Sequence, residues 1–262
     1  MNDLLNLSEQ HPLLVLLVLT RISAALIAMP AIGNGVPYRI RATLSLLITL
    51  LILPTVAGFG ESSDAARLHP IELVLLLTRE AIVGWLIGST VRIVMLGLQS
   101  AGELTSGAGG LQLAVAVDPN TGESLPTLSR WIGLLIVAIF LAIGGHRLVL
   151  AAMIDSFVAM PPGEVRVQEP MLDLLIGQWT NSVAAGIRVA APVLLALLLS
   201  NIVTGLVSRT LPQLNVLAVG MSLNVLALLA VTTLTIGSAG YLFREELQGA
   251  VDGLSQVWFG PD

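Results

Sequence analysis

The sequence predicts an all-α integral membrane protein of about six long, partly broken hydrophobic helices arranged as hairpins. Three observations predict it. Only 11% of the 262 residues are charged and 55% are hydrophobic, with a mean hydropathy of +0.89, whereas a water-facing domain carries about 25% charged residues. About six stretches approach the roughly 20 apolar residues needed to cross about 30 Å of hydrocarbon. Proline and glycine punctuate the joints between them, at Gly33 to Pro37, Pro54, Pro119, Pro126, Pro161-Pro162 and Pro212. Hydrocarbon admits only helices or closed barrels, and these stretches are too long and continuous for barrel strands.

The first stretch covers about residues 12–32. Residues 1–11 carry Asp3 and Glu9 and no arginine, unlike the basic start of a signal peptide, so this stretch is expected to belong to the mature protein. The second covers about 42–58, and the third about 70–100 despite Glu72, Arg79, Glu80 and Arg92. The fourth covers about 127–143, the fifth lies within 175–207, and the sixth covers about 216–243. No boundary, low-complexity tract or repeat divides the chain, so residues 1–262 read as one domain. With the first residue outside, Arg39, Arg41, Arg130 and Arg209 fall on one side and Arg67, Arg147, Arg166 and Arg244 on the other. This tie leaves the orientation open and suggests that neighbouring subunits help to set it.

Composition excludes several chemistries. All twelve basic residues are arginine, so neither a lysine-containing phosphate loop nor a Schiff base is available. The lack of cysteine removes disulfides and thiolate sites. A net charge of −5 and a pI near 5.1 argue against nucleic-acid binding. His11, His69 and His146 are scattered, without an HxxxH or HExxH pair. Neither Ser106 nor Ser238 has the GxSG setting of an intramembrane serine protease, and Asp118 and Asp155 lack a GxGD context. No catalytic residue, metal or cofactor is expected.

Arg21, Arg79, Arg92 and Arg188 lie inside apolar stretches and have no acid three or four residues away. A central arginine costs roughly 2.5–3.5 kcal/mol or more in a bilayer, so each is expected to be paired with another helix or subunit, hydrated, or snorkelling. Protrusion of a long helix into water is an equal alternative for Arg79 and Arg92. On the fifth stretch Asn181 and Arg188 share a face, as do Asn201, Thr204 and Ser208. Such a stripe faces protein or a hydrated pore, or bonds within the bundle. His146 reads first as an interfacial residue at a helix end and second as a contact or proton site. Gly84 with Gly88, and Ala24 with Ala28, have the spacing of closely packed helices, without naming a partner.

The connection over residues 102–126, GELTSGAGGLQLAVAVDPNTGESLP, is the most informative segment. A loop this long is functional or disordered, and its apolar run from Leu111 to Val117 argues against disorder. Gly102, Glu103, Gly107, Gly109 and Gly110 read as a hinge, Leu111, Gln112 and Leu113 as the start of an apolar plug, and Asp118, Pro119 and Gly122 as a fixed turn. Irregular backbone at membrane depth must be buried in protein or line a cavity, so a pore-occupying loop is expected.

Several stretches together resemble the FliR family of type III export-gate proteins. They are Met29-Pro30 with Gly35-Val36-Pro37 and Arg39-Ile40-Arg41, then Leu53-Pro54, Ala101-Gly102-Glu103, Gln112-Leu113-Ala114 running into Asp118-Pro119, and Pro126-Thr127-Leu128 before Arg130-Trp131. The strongest is IFLAIGGHRLVLAAMIDSFVAMPPG, residues 139–163, followed by RTLPQLN at 209–215. Gly144-Gly145 departs from the pattern, because flagellar members more often place one Asn or Asp before Gly-His. The Asp-Pro turn and the following Pro-x-Leu look more flagellar than injectisome.

The resemblance implies a non-enzymatic subunit of a helical multi-subunit gate in the bacterial inner membrane, at the flagellar basal body. It implies FliP-like and FliQ-like subunits and FlhB-like and FlhA-like components as partners, and a closed pore for unfolded flagellar proteins. The loop between the third and fourth long helices would plug that pore. A virulence injectisome subunit is the alternative within this class. A small-molecule transporter or channel is the alternative outside it, although no internal symmetry of the transporter kind is found; a structural anchor is disfavoured by the long loop.

Overall fold

The computed structural model describes residues 12–29, 36–56, 69–109, 115–117, 124–166, 169–210 and 216–260. Among them lie seven helices: α1 (Pro12–Ala28), α2 (Tyr38–Val56), α3 (Pro70–Ala108), α4 (Thr127–Ala142), α5 (Gly145–Ala159), α6 (Glu169–Thr210) and α7 (Val216–Phe259). Two short strands, β1 (Val115–Val117) and β2 (Ser124–Pro126), pair antiparallel, with Val115 opposite Pro126 and Val117 opposite Ser124.

Four helices (α2, α3, α6 and α7) are long and apolar enough to cross a membrane, and the broken pair α4–α5 makes a fifth when taken together. Each of the six apolar stretches carries a helix, and the count of four or five concerns those among the described residues that are long enough to cross. The first stretch yields only the 17 residues of α1, short of a full crossing. The fourth ends at Ala142 and is followed by α5, a helix not separated out in the sequence. Gly144, at φ 77°, makes the break, since that left-handed conformation favours glycine. Pro54 is not a joint either; it sits in the last turn of α2.

The chain forms two compact units. The first takes residues 1–93, 144–178 and 248–262. Within it α1 packs along α2, and α2 touches α5. Leu17, Val18, Ile22 and Ala25 of α1, Val83, Ile87 and Val91 of α3, and Ala152, Met153 and Phe157 of α5 are buried. The two small-residue pairs meet each other here. A Cβ on Gly84 would overlap the Arg21 carbonyl oxygen and lie 3.1 Å from Ala24 Cβ, and one on Gly88 would overlap Ala25 O and lie 2.6 Å from Ala28 Cβ. Both glycines are therefore needed for the α1 and α3 backbones to touch.

The second unit takes residues 94–143 and 179–247. Gly97 of α3 and Gly186 of α6 bring those backbones together, because a Cβ on either would strike Ser182 or Gly97 main-chain atoms. The helices α6 and α7 share a cluster of Val193, Leu197 and Leu228, with Val231 against it. Next to it Ser200 Oγ donates to Asn224 Oδ1 at 2.6 Å, and Asn224 Nδ2 donates to Asn201 Oδ1 at 3.0 Å. This clasp adds directional hydrogen bonds beside the apolar cluster and so favours one register of the two helices.

Candidate functional site

The densest polar constellation among the described residues forms around Arg21, in the first unit. Arg21 sits midway along α1 and is fully buried. Its Nε donates to Glu80 Oε2 of α3 at 2.6 Å. Its Nη1 donates to Ser156 O at 2.9 Å and to Ser156 Oγ at 3.2 Å, and its Nη2 donates to Met160 O at 3.0 Å. The guanidinium carbon lies 4.3 Å from the centre of the Phe157 ring, a cation–π distance. Glu80, also fully buried, uses its second oxygen to accept from the Gly163 N–H at 2.9 Å.

Local structure explains each partner. The Ser156 carbonyl lies in the last turn of α5 and already accepts from the Met160 N–H at 3.0 Å, whereas the Met160 carbonyl lies just past the helix, before Pro161 and Pro162. Arg21 gives the first a second donor and reaches the second from outside the helix. Gly163, at φ 90°, turns the chain so that its N–H faces Glu80. Both charges are thus opposed and hydrogen-bonded, the condition under which a buried ion pair is tolerated. The arrangement offers no vacant nucleophile or proton acceptor; it is a clamp joining α1, α3 and the α5 exit.

The other expected site residues fall elsewhere. Arg79, Arg92 and Arg188 are exposed on this chain, and the Arg188 charge acts on Glu246 of α7. His146 is exposed in the first turn of α5. Asn201 accepts from Asn224, within the clasp between α6 and α7. Three of the residues read as plug or hinge lie within a helix. Gly102, Glu103 and Gly107 are helical, α3 continues to Ala108, and the Gly109 N–H still bonds Thr105 O at 2.9 Å. Burial of Ala101, Gly102, Thr105 and Ser106 offsets the low helix propensity of the glycines. Gly110, Leu111, Gln112, Leu113, Asp118, Pro119 and Gly122 lie outside the described residues.

Sequence reasoning missed Glu80, Ser156, Phe157, Met160 and Gly163 as partners of Arg21. The available signal was that Glu80 is an acid deep in an apolar helix, the counterpart of an unpaired arginine deep in another. Four of the five also fall inside residues 139–163, the stretch that carried the strongest family resemblance.

The profile of the bacterial export proteins, family 1, matches residues 13–250, from α1 to late α7. The chain belongs to this family. Among relatives of this bacterial export family, the flagellar biosynthetic protein FliR of Caulobacter vibrioides is 27% identical over 90% of this chain and 93% of its own length. FliR of Escherichia coli K12 is 26% identical over 84% of this chain and 79% of its own length. The Yop proteins translocation protein T of Yersinia pestis is 28% identical over 81% of this chain and 82% of its own length. The family match thus encloses the whole Arg21 clamp and the clasp between α6 and α7.

Proposed function

We propose that this chain is a non-enzymatic subunit of the flagellar type III protein export gate in the bacterial inner membrane, forming and gating the channel for unfolded flagellar proteins. The observation that carries this reading is the family match over residues 13–250, together with relatives named FliR that align over nearly the whole chain. The Yersinia relative favours the injectisome counterpart as a second reading; the Asp118-Pro119 turn and the Pro126-x-Leu128 pattern favour the flagellar one.

In this reading the segment from about 102 to 122 gates the pore, and α3 carries its first residues as far as Ala108. The apolar residues 111–117 fill the opening and exclude water and ions. The ribbon of β1 and β2 ties the far end of the plug to the start of α4. FliP-like and FliQ-like subunits and FlhB-like and FlhA-like components are the partners, and exposed Arg79, Arg92 and Arg188 contribute polar contacts to them. Support for such contacts comes from the cost of leaving an arginine against lipid.

The test is deletion of residues 110–114 in the gate co-expressed with its partners. The membrane should then leak ions or small molecules. An unchanged leak, with assembly confirmed by co-purification, overturns the plug. Arg188→Ala should in parallel lower recovery of the co-purified complex.

A further inference from the structure

The second unit contains a partly open cavity of about 240 Å³ lined by α3, α4, α6 and α7. Its inner wall includes Leu98, Ala101, Ile136, Ala190 and Val193, all buried. Of the three threonines in its lining, Thr105 and Thr235 turn their hydroxyls back onto carbonyls of their own helices, at 2.9 Å to Ala101 O and 2.9 Å to Val231 O. Among the described residues no charged side chain lines it. At about 30 Å³ per molecule in the liquid, water would need roughly eight molecules to fill it, each requiring two to four polar partners. The walls do not offer them. An apolar cavity of roughly 150 Å³ stays dry and takes up hydrocarbon instead.

The opening decides which hydrocarbon. Trp131 and Leu135 of α4 and Ile236 of α7, all exposed, stand at the mouth. The α7 lining residues Thr232 to Ala239 lie within a helix long and apolar enough to cross a membrane, and the residues of its apolar window are almost all unburied in this chain. The mouth therefore opens beside a helix whose surroundings in a bilayer would be lipid chains. We propose that this cavity binds one acyl chain of a membrane phospholipid, which enters from the bilayer between α4 and α7 and fills the space between the four helices.

The proposal is tested with the full chain, purified with any co-expressed partners and reconstituted in bilayers containing a phosphatidylcholine with a diazirine in mid-chain. After irradiation, adducts are mapped by peptide mass spectrometry. Adducts are expected on buried Leu98, Ala190 and Val193, which bulk lipid cannot reach, as well as on exposed Leu234. Ala239→Phe, at the rim, should abolish the buried adducts and leave those on Leu234. Should that variant fail to assemble, Ala101→Leu fills the same cavity from its inner wall. Adducts confined to Leu234 and other exposed residues overturn the acyl-chain site while leaving membrane insertion intact. Absence of adducts throughout overturns it as well, and counts against a lipid-facing α7. Buried adducts that persist in the filled variants also overturn it.

Discussion

Arg21 and Glu80, 59 residues apart in sequence, form an ion pair at 2.6 Å with both side chains sealed from solvent. The pair does more than cancel charge. Through Arg21 it binds two carbonyls at the end of α5, and through Glu80 it holds the N–H of Gly163 beyond Pro161-Pro162. One contact between α1 and α3 thereby fixes where a third segment leaves its helix.

Breaking this pair from one side should be worse than removing it. Glu80→Leu leaves a buried guanidinium without its carboxylate and should cost about 3–5 kcal/mol, seen as a large loss of thermal stability in detergent. Arg21→Met with Glu80→Leu should recover part of that loss. If the double variant is as unstable as the sum of the single ones, the two residues do not act as a pair.

The approach of α1 to α3 makes a sharp contrast among glycines. Gly84→Leu must push the Arg21 backbone away, an overpacking expected to cost at least about 1–3 kcal/mol and to unseat Arg21 as well. Gly177 in α6 has open space where a Cβ would go. Gly177→Ala should therefore be neutral or stabilise by up to about 1 kcal/mol. Paired melting curves of the purified proteins check both.

The clasp between α6 and α7 should be worth about 0.6–1.7 kcal/mol, the range for interhelical hydrogen bonds in membranes. Asn224→Leu removes both of its bonds at once. The expected result is a modest fall in melting temperature and faster proteolysis near Ser200. Asn201→Ala, which removes only the longer bond at a more exposed position, should have the smaller effect.

At Gly144 the left-handed backbone, φ 77°, sets the permitted residues. Gly144→Asn should fold with little loss, because asparagine tolerates that region. Gly144→Val should cost at least about 1–2 kcal/mol and lower the yield of folded protein. Equal yields of the two variants would mean that the break between α4 and α5 does not depend on this conformation.

The fold class and the longer helices were legible because hydrophobic stretches of sufficient length leave no alternative in hydrocarbon, and the residue motifs between and beside them, above all residues 139–163, exposed a family resemblance. The small-residue spacings at Gly84 and Ala24 were legible as motifs too. Composition alone could bound the chemistry, since a chain without lysine or cysteine lacks whole classes of reaction. Segment ends were not legible. The glycines after Ala101 lower helix propensity, yet α3 runs through them to Ala108 because burial outweighs about 1 kcal/mol per glycine. The fourth stretch ended near Ile143 as read, but the helix α5 that follows it across Gly144 was not legible.

What only the tertiary structure decided is pairing. The sequence required partners for Arg21, and listed Glu80, Ser156 and Gly163 with no relation among them. Those residues lie up to 142 positions from Arg21, and local spacing carries no information about which helices become neighbours. That choice was made by shape: two glycines let α1 lie against α3, and the close approach places the guanidinium beside the buried carboxylate of Glu80.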